Sequence, residues 1–255
     1  MSGILVVNAD DLGRTVGIND GIFAAHREGL VSSATLMVGF PAARDAAHRL
    51  ASHPRLGVGL HVTVTGAAPT LPARQVPSLV DTTGRLARKP EQLGGLDPGE
   101  LLAEIRHQLA IFHSLVGHLP THLDSHHHSH RHPAVLEALL VVAREHALPV
   151  RRSSETIAGR VAAAGLRTTD RFVESFFGED ATLPGLLAIL RTASELGGST
   201  EVMCHPGHPD DELLRESGYA AQREREIAVL CEPAALALAE ELGLRRLRFD
   251  QACAS

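Results

Sequence analysis

Tryptophan is absent from this chain and tyrosine occurs once, so the core has to be built from Leu, Val, Ile and Ala. The three cysteines, Cys204, Cys231 and Cys253, are odd in number and show no CxxC spacing. That argues against a disulfide framework and points to a reducing, cytoplasmic setting. Basic runs are missing and the formal net charge is −6, which disfavours nucleic acid and an anionic membrane surface as partners. No apolar run approaches the ~20 residues of a membrane span. The N-terminus also lacks the basic region, long apolar stretch and cleavage site of a signal peptide. A neutral small molecule is the easier fit as a partner.

What the chain does have is regular alternation of short apolar strands and amphipathic helical segments, over a length that suits one α/β domain. Strands are expected at 4–9, 34–38, 56–64, 121–125, 149–153, 200–204 and 245–249. Helices are expected at 17–29, 41–52, 99–116, 134–147, 154–168, 183–196, 219–230 and 233–242. Residues 66–98 are rich in Pro, Gly and polar side chains and have no period. They read as a long excursion over the catalytic face. A parallel sheet follows, open or closed into a barrel.

Three segments carry candidate chemistry. Five of the seven residues 126–132 are histidine, preceded by Asp124. On extended geometry Asp124, His126, His128 and His130 share one face. The second segment is the apolar strand Ile4-Leu5-Val6-Val7, which ends in Asn8-Ala9-Asp10-Asp11-Leu12-Gly13. Acids at the C-terminal end of a buried parallel strand stand where α/β enzymes place catalytic groups. Two adjacent carboxylates repel, so a cation is expected beside them. The third segment, Gly59-Leu60-His61-Val62, sets one histidine near a strand end. Asp11, His61 and a histidine of the cluster make an Asp-His-His set, the pattern of a catalytic metal site with open positions.

Beyond these, His205 directly follows the strand 200–204 and precedes the tight turn Pro206-Gly207-His208-Pro209. A histidine so placed can give a proton to a leaving group. Arg151 follows a short strand and is able to pair with an acid. Tyr219 to Glu226 has the charge pattern of an exposed helix with local ion pairs.

In motif content and order the chain resembles the YdjC-like carbohydrate deacetylases, a family that includes chito-oligosaccharide deacetylases and relatives associated with hopanoid biosynthesis. The resemblance rests on Asn8-Ala9-Asp10-Asp11-Leu12-Gly13, Gly59-Leu60-His61-Val62-Thr63-Val64-Thr65, Pro120-Thr121-His122-Leu123-Asp124-Ser125-His126-His127-His128 and Glu201-Val202-Met203-Cys204-His205-Pro206-Gly207. Leu12 stands where the family usually has Phe. The resemblance implies an irregular, TIM-barrel-like (β/α) barrel formed as a single domain over 1–255, and a homodimer. It implies Asp11, His61 and His126 or His128 as ligands of one divalent metal ion, with His126 favoured, and Asp10 as catalytic base. His205 would then act as the acid, Arg151 would hold Asp10 ionised and Asp124 would orient a ligand imidazole. Two imidazoles and a carboxylate suit Zn²⁺, and the resemblance also admits Mg²⁺. The implied reaction removes acetyl from an N-acetylated sugar. No residue is assigned to substrate binding. The alternatives are a metal-dependent sugar isomerase or epimerase on a (β/α) barrel, and a non-enzymatic histidine-rich metal-binding protein.

Overall fold

The computed structural model describes residues 3–253. The chain runs β1 (Ile4–Leu12), α1 (Val16–Glu28), β2 (Ser33–Leu36), α2 (Ala43–Leu50), β3 (Gly57–Val62), α3 (Pro98–Val116), β4 (Leu123–Ser125), α4 (Pro133–His146) and α5 (Glu155–Ala163). It continues through β5 (Arg171–Val173), α6 (Leu183–Leu196), β6 (Ser199–Cys204), α7 (Asp211–Glu216), α8 (Ala221–Leu230), α9 (Pro233–Glu241), β7 (Arg245–Arg246) and α10 (Phe249–Ala252). The strands pair in parallel in the order β4-β3-β2-β1-β6-β5. β7 pairs the first residues of β1, before β2 begins on that strand. A parallel bridge from Leu123 to Val150 extends the sheet past β4, and the Val150 N–H reaches the Arg167 carbonyl on the approach to β5. The result is a curled, barrel-like parallel sheet surrounded by helices.

Local chemistry accounts for the elements. β1 is buried along its whole length, as its run of β-branched residues requires. Thr15 caps α1 by accepting from the Ile18 N–H, and Asp97 caps α3 by accepting from the Glu100 N–H. Pro98 and Pro133 occupy the first turns of α3 and α4, where a missing N–H costs nothing. Aliphatic side chains dominate the core, with Phe23, Phe112, Phe176 and Phe249 as its fully buried rings.

Three expectations need correction. Residues 149–153 form a single bridge rather than a strand. The last strand stops at Arg246, and Phe249–Ala252 is helical. The histidine cluster does not continue β4. His127 and His128 take left-handed φ values of 55° and 50°, and His126–Arg131 wind into a tight 3-10 turn. Ser125 sets this turn, because its hydroxyl accepts from the His130 N–H at 2.9 Å. The shared strand face therefore ends at His126.

The excursion from 66 to 98 carries three short 3-10 turns and is pinned to α3. Buried Glu104 accepts from the N–H groups of Thr70 and Leu71. Gln108 bonds both the N–H and the carbonyl of Thr63.

Candidate active site

Every residue singled out above for catalysis lies at the C-terminal edge of the sheet. β1 presents both of its acids there because its pairing with β2 slips between Ala9 and Leu12, and Asp11 sits at φ 69°. On a regular strand two consecutive side chains point to opposite faces. The left-handed step turns Asp11 so that both carboxylates line one cavity. Aspartate is one of the few non-glycine residues that visits this region readily.

Each acid has its own cation. Arg151 is fully buried and grips Asp10 in a bidentate pair, Nη1 to Oδ2 and Nη2 to Oδ1, both at 2.7 Å. Its Nη1 also lies 2.8 Å from Asp124 Oδ2, and its Nε donates to Glu201 Oε1 at 2.7 Å. Burial opposes ionisation of Asp10, but the Arg151 charge and hydrogen bonds prevail and hold its carboxyl below the usual range. At Asp11, Arg223 Nη2 donates to Oδ2 at 2.5 Å and Arg14 stands 3.9 Å away. Burial is again outweighed, and Asp11 stays well below its ordinary value. Glu201 does not escape burial, and its carboxyl is pushed up to about 7 despite Arg151.

The remaining oxygen of Asp11 faces two imidazoles. His61 Nε2 lies 3.6 Å and His126 Nδ1 3.1 Å from Asp11 Oδ1. All three side chains are buried, and their donor atoms fall within 4.8 Å of one another. Asp11 Oδ1 is nevertheless buried without an accepted hydrogen bond, an arrangement that costs free energy unless a cation satisfies it. The His61 ring is oriented from behind, Nδ1 at 2.7 Å from Asp124 Oδ1, with Thr35 bridging to the other Asp124 oxygen at 3.0 Å. That leaves Nε2 as the atom facing Asp11, the arrangement in which a carboxylate fixes a ligand histidine. Burial would lower the His61 pKa, yet Asp124 and the two β1 acids raise it to about 9, so this position draws positive charge. The donor set fits a divalent ion. A second cluster, Asp10, His61 and Asp124, shares the region. Its carboxylates already pair with Arg151, whose charge would repel a metal there.

His128, also expected as a ligand, is carried by the 3-10 turn away from Asp11. It packs edge-on against Phe172, its Nε2 3.5 Å from Glu174 Oε2. It lines the cavity but stands outside the Asp11–His61–His126 set. Asp124 and Arg151 both sit behind the site, and His205 stands at its side.

Sequence reasoning missed the residues that come from α8. Tyr219 to Glu226 was expected to be an exposed, locally paired helix, yet Arg223 and Glu226 are buried. Arg223 reaches Asp11, and Glu226 accepts from the His205 backbone N–H and from the Tyr219 hydroxyl. The available signal was spacing: Arg223 and Glu226 fall at i and i+3, on one face of the helix. Glu201 left a signal too, as a charge inside the otherwise uncharged strand Ser199–Cys204.

His205 is positioned by close backbone packing. A Cβ at Gly21 would lie 2.5 Å from Gly207 Cα, and one at Gly17 would lie 2.2 Å from the His208 carbonyl. The two glycines of α1 therefore let the 205–208 turn lie directly on the helix. Burial pulls the His205 imidazole down to about 4, so it rests neutral at pH 7.

The cavity above these groups holds about 490 Å³, within the range of small-ligand sites. Lys89, Pro90 and Glu91 of the long excursion form part of its rim. Among the described residues no helix is long and apolar enough to cross a membrane.

Residues 4–241 match the family model described as YdjC-like protein. The chain is 38% identical over 246 residues to a carbohydrate deacetylase of Geobacillus stearothermophilus, covering 96% of both chains. It is 36% identical over 238 residues to a chitooligosaccharide deacetylase of Yersinia pestis (strain Pestoides F), covering 91% of this chain and 92% of the other. A crystal structure of a proposed cellobiose-phosphate cleavage protein from Enterococcus faecalis V583 superposes with a TM-score of 0.92 at 30% identity, covering 99% of this chain and all of the other.

Proposed function

The chain belongs to the YdjC-like protein family, and from that premise we propose that it is a metal-dependent carbohydrate N-deacetylase. It removes the acetyl group of an N-acetylated sugar and releases acetate and an amino sugar. The observation that carries this reading is the pairing of two unlike carboxylates on β1. Asp10 is held ionised by Arg151, and Asp11 turns its free oxygen toward His61 and His126.

Asp11 Oδ1, His61 Nε2 and His126 Nδ1 would hold the ion. When bound, it would polarise the acetamide carbonyl and lower the pKa of the attacking water. Two imidazoles and a carboxylate favour Zn²⁺ over Mg²⁺, which prefers oxygen ligands. Asp10 takes the proton that the water loses as it attacks the acetyl carbon. Because Arg151 and Asn8 hold its oxygens by directed hydrogen bonds, the carboxylate is fixed in place before substrate arrives. His205 gives a proton to the nitrogen as the C–N bond breaks, since an amide nitrogen leaves poorly without one. The imidazole rests neutral, so the proton it delivers is the one that Asp10 takes from the water, passed through His205 to the leaving nitrogen. Arg223 occupies the second oxygen of Asp11 and so limits that carboxylate to one free donor atom.

The same proposal includes a homodimer, on the family resemblance, and a cytoplasmic location, on the unpaired cysteines. The test is acetate release from a panel of N-acetylated sugars by the metal-loaded enzyme. Release from at least one sugar, abolished by Asp10→Asn, supports the assignment. No release from any sugar overturns it.

A further inference from the structure

Phe177 is the one large aromatic side chain left exposed among the described residues, at 44% exposure, in a chain that holds a single tyrosine. That tyrosine lies under it. The rings of Phe177 and Tyr219 stack with centroids 4.2 Å apart and planes 8° from parallel. Both line the cavity beside His205, whose ring stands 5.3 Å from Phe177 and 5.7 Å from Tyr219, edge-on to each.

Hydrogen bonds hold the pair in place. The Gly178 N–H, next to Phe177 in the chain, donates to the Tyr219 hydroxyl at 2.8 Å. That hydroxyl donates to Glu226, whose other oxygen accepts the His205 backbone N–H. One hydrogen-bonded chain therefore ties the loop carrying Phe177 to the proposed acid. Nothing in the chemistry of Asp10, Asp11 or the imidazoles explains an aromatic pair preorganised at this edge.

We propose that Phe177, backed by Tyr219, is the platform on which the pyranose ring bearing the acetamide stacks, with His205 at its edge. The negative face of an aromatic ring attracts positively polarised edges, and a pyranose offers such edges in its axial C–H groups. The acetamide nitrogen is one bond from that ring. A sugar lying on Phe177 at the roughly 4.5–7 Å separation of ring pairs presents its nitrogen toward His205. The sugar hydroxyls then reach the polar rim of Lys89, Glu91 and Glu174. Phe177 is thus a specificity-determining residue. It selects a ring-borne acetamide over an acyclic one.

This inference rests on the deacetylase reading, and the experiment separates the two. Calorimetry would measure the affinity of metal-loaded Asp10→Asn protein for N,N′-diacetylchitobiose, with Phe177 intact or changed to Ala or Trp. Acetate release from the full panel of N-acetylated sugars would be measured in parallel with Asp10 present. Phe177→Ala is expected to weaken binding about tenfold, and Phe177→Trp to restore it, with metal content unchanged in both. Affinity within twofold of the parent for Phe177→Ala overturns the platform even if the wild type releases acetate. Binding without acetate release by the wild type overturns the deacetylase reading, while the Ala and Trp affinities still decide the platform. Neither binding nor release overturns both.

Discussion

Arg151 grips Asp10 through both ends of its guanidinium, at 2.7 Å and 2.7 Å, with neither side chain more than marginally exposed. The same guanidinium faces Asp124 and Glu201, so one cation serves three buried acids. Removing it would strand Glu201 and leave Asp10 with Asn8 alone, while Asp124 keeps His61 and Thr35. Arg151→Met is expected to lose about 3–5 kcal/mol in urea unfolding, the cost of breaking a buried pair. Arg151→Lys keeps the charge and loses the fork, so it should stay folded while kcat falls. Unchanged stability in Arg151→Met would contradict this account of the cluster.

Metal removal is the second prediction. A chelator should abolish acetate release, and one equivalent of Zn²⁺ should restore it and raise Tm, since an ion bound only by the folded state stabilises it. Asp11→Asn should fold yet retain less than a tenth of the metal under the same dialysis. Full retention would remove Asp11 from the ligand set.

Two arginines on α8 predict opposite outcomes. Arg223 is buried on Asp11, whereas Arg225 pairs with Glu179 at the surface. Arg223→Met should lower stability by about 1–3 kcal/mol, because it leaves Asp11 Oδ2 buried without its donor, and should reduce kcat. Arg225→Met should change stability by less than about 1 kcal/mol and leave kcat alone. Urea melts and initial rates of the two variants make the comparison, and equal effects would contradict the structure.

Burial pushes the Glu226 carboxyl from its ordinary 4.5 up to about 7, against lowering contributions from Tyr219 and the His205 N–H. The folded protein thus keeps a proton that the unfolded chain releases between those values. Glu226 therefore lowers stability progressively as pH rises from about 4.5 to about 7, with no further loss above. Glu226→Gln removes this titration, so its Tm relative to wild type should climb across that window. A Tm difference that is flat from pH 4.5 to 7.5 would contradict it.

Acid catalysis by His205 predicts dependence on the leaving group. His205→Ala should lower kcat on an N-acetylated sugar by roughly 10²–10⁴-fold. Hydrolysis of 4-nitrophenyl acetate, whose leaving group needs no proton, should fall far less. Equal losses on the two substrates would argue that His205 acts only structurally.

The local chemistry of single elements was legible in the sequence. Most capped and proline-opened helices appear within a few residues of expectation, although α5 ends at Ala163 rather than 168 and α7 was not expected; Asp10, Asp11 and His61 lie at the strand ends where apolar runs stop. The expected cation beside the acids is present as Arg151 and Arg223. What could not be read was anything set by long-range packing. Two left-handed residues after Ser125 separate His128 from His126, and histidine spacing alone carries no sign of that turn. Arg223 belongs to a helix 212 residues beyond Asp11 in sequence, and its charge pattern also suits a solvated face. Only the folded chain shows that the Arg223–Glu226 face of α8 points inward.

The most direct test of the central claim is acetate production measured against metal content in one preparation. Metal-stripped protein, protein loaded with one equivalent of Zn²⁺ and loaded Asp10→Asn would each be incubated with N-acetylated mono- and oligosaccharides. The account predicts about one ion per chain, acetate only from the loaded wild type, and an amino sugar in equal amount. Several ions per chain with no acetate would indicate a metal-buffering protein. A single tightly bound ion with a rearranged sugar and no acetate would indicate an isomerase. Either result would contradict the deacetylase.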